Sequence, residues 1–267
     1  MSNPAHPFSD STAGQEQADQ AATKNILTYS ALNTFRNCPR KYKHRYVDCL
    51  RPRERPEALA FGSVIHGAIE LWYQSAANAN RLWTILDYID QQFPERVGND
   101  AQNAAWNLAR AMITGYAARY PDEDFEVIEV EKSFTGEIRN PDTGRPSQTF
   151  MIAGKADAIV QRSDGIYLLE HKTAASIDAN YLDKLWTDTQ IALYSFYLRQ
   201  LGYPIVGVIY NVLLKSRLKQ RAGETQEEYE ARRAELAAKN KSGHSTAKRQ
   251  LPETDEEFQA RLAEWYA

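Results

Sequence analysis

The chain has 267 residues, of which 43% are hydrophobic and 25% charged, and its formal net charge is −3. This suits one large globular domain or two small ones, while the acidic balance excludes a global field that attracts nucleic acid or an anionic membrane. Two cysteines exclude a disulfide framework, and the absence of a long apolar run and of a signal-peptide pattern predicts a cytoplasmic protein without membrane contact.

The first part of the chain is predicted to be a tail followed by helices. Residues 1–25 are polar and small, which is typical of a disordered tail. Thr28 or Ser30 can cap a helix that continues through "ALNTFRNCPRKYKHRYV". The stretch "FGSVIHGAIELWYQSA" has apolar residues at helical spacing, and helical patterns also fit 81–93 and 101–120. We therefore expect a helical N-terminal region and a helical insertion at about 62–120.

The second part of the chain is predicted to combine strands and helices. Strand patterns cover "FEVIEVEKSFTGEI", "TFMIAGKADAIVQ" and "GIYLLEHKT". An amphipathic helix should follow from about Tyr181 to Leu201, and then a buried strand, "IVGVIYNVLL". The region of about 215–267 is charged and helical. This order predicts an α/β fold with a central mixed β-sheet flanked by helices, in one domain over 26–267.

Three charged residues lie inside the apolar strand patterns on either side of a predicted turn. The dipeptide Asp164–Gly165 is a strong signal for a two-residue hairpin turn. If the strands close just outside this dipeptide, Asp157 faces Lys172, and Glu170 lies diagonal to Asp157. Facing residues share one side of a sheet, whereas a slip of one residue would separate them. The turn thus predicts a cluster of two carboxylates and one ammonium.

Such a cluster has the chemistry of a metal site. Two close carboxylates repel each other unless a cation lies between them, and their oxygens suit hard cations such as Mg²⁺ or Mn²⁺. A lysine beside the ion can position a water and stabilise charge developing on a phosphate. The backbone carbonyl of His171 is a further candidate ligand. The residues alone leave open a surface hairpin with a simple salt bridge.

Other polar residues fall on predicted helices. His66 lies one turn after Gly62 on a largely apolar helix, where a core histidine is the simpler interpretation. Gln190 and Tyr194 are spaced i, i+4 on one helix face, which also fits an ordinary polar edge.

Five pieces of sequence occur in an order that is typical of one family: "YSALNTFRNCPRKYKHRY", "GSVIH", "GKAD", "EHK" and "QIALY". In this pattern the chain resembles the RecB-like branch of the PD-(D/E)XK nuclease superfamily, which includes AddB-type recombination nucleases and the nucleases of CRISPR adaptation. The resemblance spans roughly Tyr29 to Leu214 and implies a restriction-endonuclease-like core.

The resemblance also implies roles for individual residues. The implied metal ligands are His66, Asp157, Glu170 and the His171 carbonyl. Lys172 would be the catalytic lysine, and Gln190 and Tyr194 would help to hold DNA or the active-site hairpin. The implied activity is Mg²⁺- or Mn²⁺-dependent hydrolysis of DNA, in many members by an exonuclease on ends or single strands, in recombination or repair. The alternative is a catalytically silent, nuclease-derived DNA-binding accessory module.

Cysteine positions bear on a second cofactor. Some relatives bind an iron–sulfur cluster through one early and three late cysteines, and Cys38 matches the early position. No cysteine follows Cys49, so we expect no iron–sulfur cluster in this chain. For Cys38 we favour a small buried apolar residue.

Basic residues with interleaved aromatics predict DNA contacts in the first helix. They are Arg36, Arg40, Lys41, Lys43, His44 and Arg45, with Phe35, Tyr42 and Tyr46. A second basic cluster contains Lys215, Arg217, Lys219 and Arg221. A solvated helix face is the alternative for both sets. The sequence has no Walker-type phosphate loop, so a helicase motor would be a separate partner protein.

Overall fold

The computed structural model of the chain describes residues 24–53, 56–76, 78–241 and 243–266. Residues 1–23 of the predicted disordered tail lie outside these ranges. Asn25, at the end of that predicted tail, instead begins a strand. Within the described ranges, no helix combines the length and the apolar composition needed to cross a membrane.

The described residues form an α/β fold in which helices flank a central mixed sheet, as predicted. The strands are β1 (Asn25–Thr28), β2 (Glu126–Arg139), β3 (Pro146–Arg162), β4 (Gly165–Ala174) and β5 (Ile205–Leu214). The helices are α1 (Tyr29–Asn37), α2 (Pro39–Tyr42), α3 (Glu57–Gln74), α4 (Arg81–Gln92), α5 (Asp100–Arg119), α6 (Ala179–Trp186), α7 (Thr189–Gln200), α8 (Gln226–Lys239) and α9 (Asp255–Tyr266), and Lys43–Val47 is π-helical.

β3 is the long central strand of the sheet. On one edge it pairs antiparallel with β2 over most of its length. On the other edge its residues 150–153 pair parallel with β1, and its residues 158–162 pair antiparallel with β4. β5 then lies beside β4. Asp157 therefore lies just before the β4-paired segment, in the stretch of β3 that separates the pairings with β1 and β4.

The first predicted helix is interrupted in the structure. Its start is confirmed, because the Thr28 side chain accepts a hydrogen bond from the Ala31 N–H at 3.2 Å and caps α1. The prediction that the helix is continuous is wrong, because Cys38 has an extended backbone with φ −161° and ψ 101°. Proline disfavours a helical conformation in the residue before it and suits the first position of a helix. Pro39 accordingly begins a new helix, α2.

The predicted helix from Tyr181 to Leu201 is likewise two helices. Asp188 lies between α6 and α7, and its side chain accepts a hydrogen bond from the Gln190 N–H at 2.8 Å. An aspartate in this position competes with helix continuation, because its carboxylate satisfies an N–H at the start of the next helix. The predicted stop is confirmed, since α7 ends at Gln200 and Gly202 follows with φ +92°.

The chain divides into two compact units. The sheet unit comprises the described residues before position 55 together with 125–170 and 184–209. The helical unit comprises the described residues of 55–124, 171–183 and those from 210 onward. β4 passes from one unit to the other after Glu170, and β5 does so after Ile209.

Each unit has its own buried residues. In the sheet unit, α7 packs on β2 and β3, and the core contains Phe134, Ile152, Ala156, Ile159, Leu168, Tyr194, Tyr197, Leu198 and Ile205. In the helical unit, α3, α4 and α5 pack together, and α9 packs on α5. Its fully buried side chains include Ile65, Ile69, Ile85, Ile89, Met112, Ile113 and Leu262. Apolar spacing along α3 therefore predicted its buried face.

Candidate active site

Asp157 and Glu170 occupy neighbouring register positions of β3 and β4 in the sheet unit. The paired register ends at Ala158 opposite Leu169, and Asp157 and Glu170 are the next residue on each strand. Facing positions of paired strands project to the same side of a sheet. Glu170 is buried with 1% of its surface exposed, and Asp157 is half-buried. The predicted approach of the two carboxylates thus follows from their positions.

The predicted hairpin register is wrong by two residues. Arg162 pairs with Gly165, so the turn consists of Ser163 and Asp164, and Asp157 falls opposite Glu170 and not opposite Lys172. A shift of two residues keeps every side chain on its face.

Tertiary contacts explain why the turn lies there. A Cβ added to Gly165 would come within 2.5 Å of Val206 Cγ2 on β5, so this position requires the small residue inside the strand. Asp164 accepts a hydrogen bond from the Tyr167 hydroxyl at 2.8 Å. The glycine of the dipeptide therefore serves packing against β5, and the aspartate remains in the turn.

Gln190 connects helix α7 to the carboxylate of Glu170. Its Nε2 donates a hydrogen bond to Glu170 Oε1 at 3.0 Å. Asp188 caps the helix at the same end, which fixes the backbone from which the amide extends. The sequence singled out Gln190 but not Asp188, which lies directly before the first residue of α7, where an Asp is a capping signal.

Tyr194 packs inside the core of the sheet unit. Its ring meets Phe134 edge to face, with centroids 5.1 Å apart, and only 8% of its surface is exposed. A Cβ added to Gly154 would lie 3.0 Å from Tyr194 Cε1 and 2.7 Å from Phe134 Cε1. Gly154 thus leaves the space that both rings fill, and Tyr194 contacts the strand that carries Asp157.

His171 is buried in the helical unit among aromatic side chains. Its ring stacks on Tyr73 with centroids 5.6 Å apart and meets Tyr116 edge to face at 6.5 Å. The two tyrosine hydroxyls are 2.6 Å apart, and the Tyr73 hydroxyl also donates to Glu123 Oε1 at 3.1 Å. Burial raises the pKa of both tyrosines and of Glu123, because desolvation penalises the charged form of each group.

The sequence did not single out this aromatic network. Tyr73 lies four residues after Ile69 on the apolar face of α3, so its burial could have been predicted from helical spacing. Its partner Tyr116 lies on α5, and no local pattern links the two residues. His66, half-buried on α3, and Lys172, half-buried on β4, also belong to the helical unit.

The basic and aromatic residues predicted to bind DNA lie at the surface of the sheet unit. Phe35 is 52% exposed and meets Tyr42 edge to face at 5.4 Å, and Tyr42 stacks on Tyr46 at 5.2 Å. The exposed basic side chains around these rings are Arg36, Arg40, Lys41, Lys43, His44 and Arg45. We call this set of rings and cations the N-terminal basic surface. Lys43 and His44 both contact Asp48, at 2.9 and 3.1 Å, so these two residues contribute less free charge than Arg36, Arg40 and Lys41.

The expectation that Cys38 is a buried apolar residue is wrong. Cys38 and Cys49 are both exposed free thiols. The Cys38 Sγ accepts a hydrogen bond from the Lys41 N–H at 3.4 Å, so it caps α2. The break before Pro39 takes this residue out of the helix, and as the capping residue of α2 it is exposed.

The donor chemistry of the carboxylate pair fits a hard divalent cation. Oxygen atoms of Asp157 and Glu170 are the ligand type that Mg²⁺ and Mn²⁺ prefer, and Gln190 orients one of the two groups. Within the described ranges, no group of three or more His, Cys, Asp or Glu side chains has the spacing of a metal site. The larger ligand set therefore stays a prediction.

The α/β fold, with a central mixed sheet flanked by helices, is consistent with the restriction-endonuclease-like class. A sequence model of the PD-(D/E)XK nuclease superfamily matches residues 26–266, and the chain therefore belongs to this superfamily. No curated protein matches the chain.

Proposed function

We propose that the chain is a Mg²⁺- or Mn²⁺-dependent DNA nuclease of the RecB-like branch, and that it acts as an exonuclease on DNA ends or single strands in recombination or repair. The observation that carries this proposal is the carboxylate pair of the sheet unit. Glu170 is buried and accepts a hydrogen bond from Gln190. Asp157 and Glu170 each lie one residue beyond the paired residues Ala158 and Leu169. Membership of a nuclease superfamily supports phosphodiester hydrolysis as the chemistry that we assign to this pair.

We assign the metal ligands from this pair and from the sequence pattern. Asp157 and Glu170 would hold the ion, together with His66 and the His171 carbonyl. When bound, the ion supplies positive charge at the scissile phosphate and lowers the pKa of a coordinated water. Keeping a buried carboxylate charged requires compensating bonds, and Gln190 supplies one for Glu170.

Lys172 is assigned as the catalytic lysine. An ammonium group beside the phosphate can orient the attacking water and offset the charge that develops on the phosphate oxygens. Tyr194 and Gln190 are assigned to holding the hairpin, since Tyr194 packs against Gly154 of β3 and Gln190 bonds to Glu170 of β4.

We assign DNA binding to the N-terminal basic surface, with Arg36, Arg40, Lys41 and Tyr42 as its principal contacts. Exposed arginines and lysines attract phosphates, and exposed aromatic rings offer faces on which unpaired bases stack. A surface that combines basic side chains with aromatic rings favours binding of single strands or frayed ends. A cytoplasmic location and a separate helicase or recombination partner complete the proposal.

The test is incubation of the purified chain with end-labelled linear DNA and closed circular DNA, in Mg²⁺, in Mn²⁺ and in EDTA. We expect linear DNA to be degraded with either metal, circular DNA to persist, and EDTA to stop the reaction. Lys172→Ala should abolish cutting while DNA binding remains. Lys239→Ala, which removes an exposed lysine paired with Glu235 on α8, is the matched control.

The same experiment distinguishes the alternative function. DNA retention without cutting in either metal would identify a silent DNA-binding module. Cutting of circular DNA at the rate of linear DNA would identify an endonuclease. Cutting that persists at full rate in Lys172→Ala would remove that residue from the mechanism.

A further inference from the structure

The helical unit contains a groove of about 1100 Å³. It is bounded by the start of α3, the start of α5, the segment that follows β5, and α9. Pockets that hold drug-sized ligands measure roughly 300–1000 Å³, so this groove can take a ligand larger than one such molecule. All of its lining residues belong to the helical unit.

Three cations line the groove: Lys215, Lys219 and Arg221. Within the described part of the chain, none of these side chains forms an ion pair.

Three acids also line the groove, and each is compensated. Glu253 is paired with Arg261 at 2.7 Å. Glu57 and Asp100 lie in the first turns of α3 and α5, where the helix dipole offsets a negative charge. The charge left for a ligand in the groove is therefore positive.

Lys215 lies beside the strand that carries the candidate catalytic lysine. Its backbone N–H donates to the Ala174 carbonyl at 2.7 Å, which fixes it beside the end of β4. Lys172 is two residues earlier on that strand, about 7 Å along it. On the other side, Gly62 of α3 approaches Thr173, whose Oγ1 would be 3.7 Å from an added Cβ. One end of the groove thus lies next to the strand segment that carries Lys172.

The Lys215 side chain is half-buried and lies against an aromatic ring. Its Nζ is 4.5 Å from the centroid of Phe61, and burial lowers its pKa. An ammonium group that is partly desolvated without a carboxylate partner gains more from a bound anion than a solvated one does. Because Lys215 lines the groove, a ligand in the groove can reach this group.

We propose that this groove binds a single-stranded segment of the nucleic acid substrate, with Lys215 contacting a backbone phosphate. The assignment rests on the proposed nuclease function. A single strand is narrow and flexible enough to bring a phosphate to a half-buried ammonium, whereas the phosphates of a duplex stay on its outer surface. Lys219 and Arg221 extend the phosphate track, and the exposed Leu218, which lies between Lys215 and Lys219 in the sequence, offers an apolar surface to the bases.

The test is the affinity of the full chain for a short labelled oligothymidine, measured in EDTA at several salt concentrations. Lys215→Gln should weaken binding about tenfold, as expected when one charge-assisted hydrogen bond is removed. It should also lower the slope of log affinity against log salt by about 0.7, the value for one phosphate on a single strand. Lys215→Arg should restore both quantities, and Lys239→Gln, outside the groove, should change neither.

Wild-type affinity and slope in Lys215→Gln would overturn the proposal, and an equal loss for a duplex of the same length would overturn the single-strand assignment. If Lys215→Gln does not fold, exposed Lys219→Gln is measured instead, with the same expected sign. If the wild-type chain cuts DNA and Lys215→Gln leaves binding unchanged, the groove proposal is refuted and the nuclease proposal stands. A wild-type chain that neither cuts nor binds refutes the nuclease proposal itself.

Discussion

The hydrogen bond from Gln190 to Glu170 is the contact through which a helix orients a candidate metal ligand. Gln190→Ala removes the donor and leaves the carboxylate in place. Groups that orient metal ligands typically change metal affinity or activity about 10–100-fold when they are removed, so we expect an effect of this size. The measurement is the rate of DNA cleavage against Mn²⁺ concentration, in which the variant should need more metal.

Gln200→Ala is the matched control for this prediction, since Gln200 is exposed at the other end of the same helix. It should leave the metal requirement unchanged. A Gln190→Ala variant with the wild-type metal curve would show that Glu170 does not depend on this bond.

Replacing Gly154 or Gly62 with alanine is expected to have opposite effects on stability. A methyl group on Gly154 would overlap the buried ring of Phe134 and press on Tyr194, neither of which has free space. Overpacking a core costs about 1–3 kcal/mol, so Gly154→Ala should lower the free energy of unfolding by that amount. On Gly62 the methyl group meets Thr173 only at 3.7 Å, an ordinary contact. Gly62→Ala should be neutral or slightly stabilising, because alanine favours a helix.

Urea unfolding of both glycine variants decides this prediction. Equal stability of Gly154→Ala and wild type would mean that the rings move aside without cost. A clear loss of stability in Gly62→Ala would mean that α3 approaches β4 more closely than 3.7 Å at this point.

The candidate site shows what residue patterns can and cannot predict. Alternation along two strands joined by a tight turn was sufficient to bring Asp157 and Glu170 to one side of the sheet. The observed register places Gly165 against Val206, which lies on a strand 41 positions later, and nothing near the turn indicates this contact. Long-range contacts of this kind are absent from any local pattern.

The break in the predicted first helix changes the arrangement of the rings on the N-terminal basic surface. Because the chain breaks at Cys38, Phe35 of α1 and Tyr42 of α2 face each other across the break. We expect the combined change Arg36→Gln, Arg40→Gln and Lys41→Gln to weaken DNA binding. It should also lower the salt slope by about 0.7 for each single-strand phosphate that the variant no longer neutralises.

The measurement for this surface is the affinity for labelled single-stranded DNA across a salt series. Three exposed basic residues elsewhere provide a charge-matched control, Arg233, Lys239 and Lys241. They should have no more than a small, uniform effect. An unchanged slope in the N-terminal variant would exclude this surface from DNA binding.

Helices and strands with regular apolar spacing could be predicted from the sequence, whereas the breaks within them could not. α3, α4, α5 and β5 lie where apolar spacing placed them. β1 was missed, because four residues carry too little alternation to indicate a strand, and its pairing is with residues 150–153 far along the chain. The break at Asp188 was missed because helical spacing continues across it, whereas the capping carboxylate acts only locally.

The net charge of −3 conceals strong local pairing of opposite charges. Two glutamates after β5 are each held by one arginine through two hydrogen bonds. Glu224 accepts from Arg232 at 2.8 and 2.6 Å, and Glu253 accepts from Arg261 at 2.7 and 2.7 Å. Backbone N–H groups of Gln250 and Arg221 also donate to these carboxylates. The pairs thus tie α8 and α9 to the segments that precede them.

These two pairs predict how the stability of the protein depends on pH. The arginine bonds lower the pKa of Glu224 and of Glu253 from an ordinary value of 4.5 to about 2. A pKa that is lower in the folded state stabilises the fold fully above pH 4.5, and this contribution is lost as the pH falls from there through about 2. We therefore expect Glu253→Gln to be less stable than wild type to urea at pH 7, and the difference to shrink at pH 3, because at that pH the wild-type carboxyl, with its ordinary pKa of 4.5 in the unfolded state, binds a proton on unfolding. Glu235→Gln, which removes an exposed carboxylate paired on the surface of α8, should show a much smaller effect at either pH. A gap between Glu253→Gln and wild type that is as wide at pH 3 as at pH 7 would mean that packing of the side chain, and not its charge, stabilises this region.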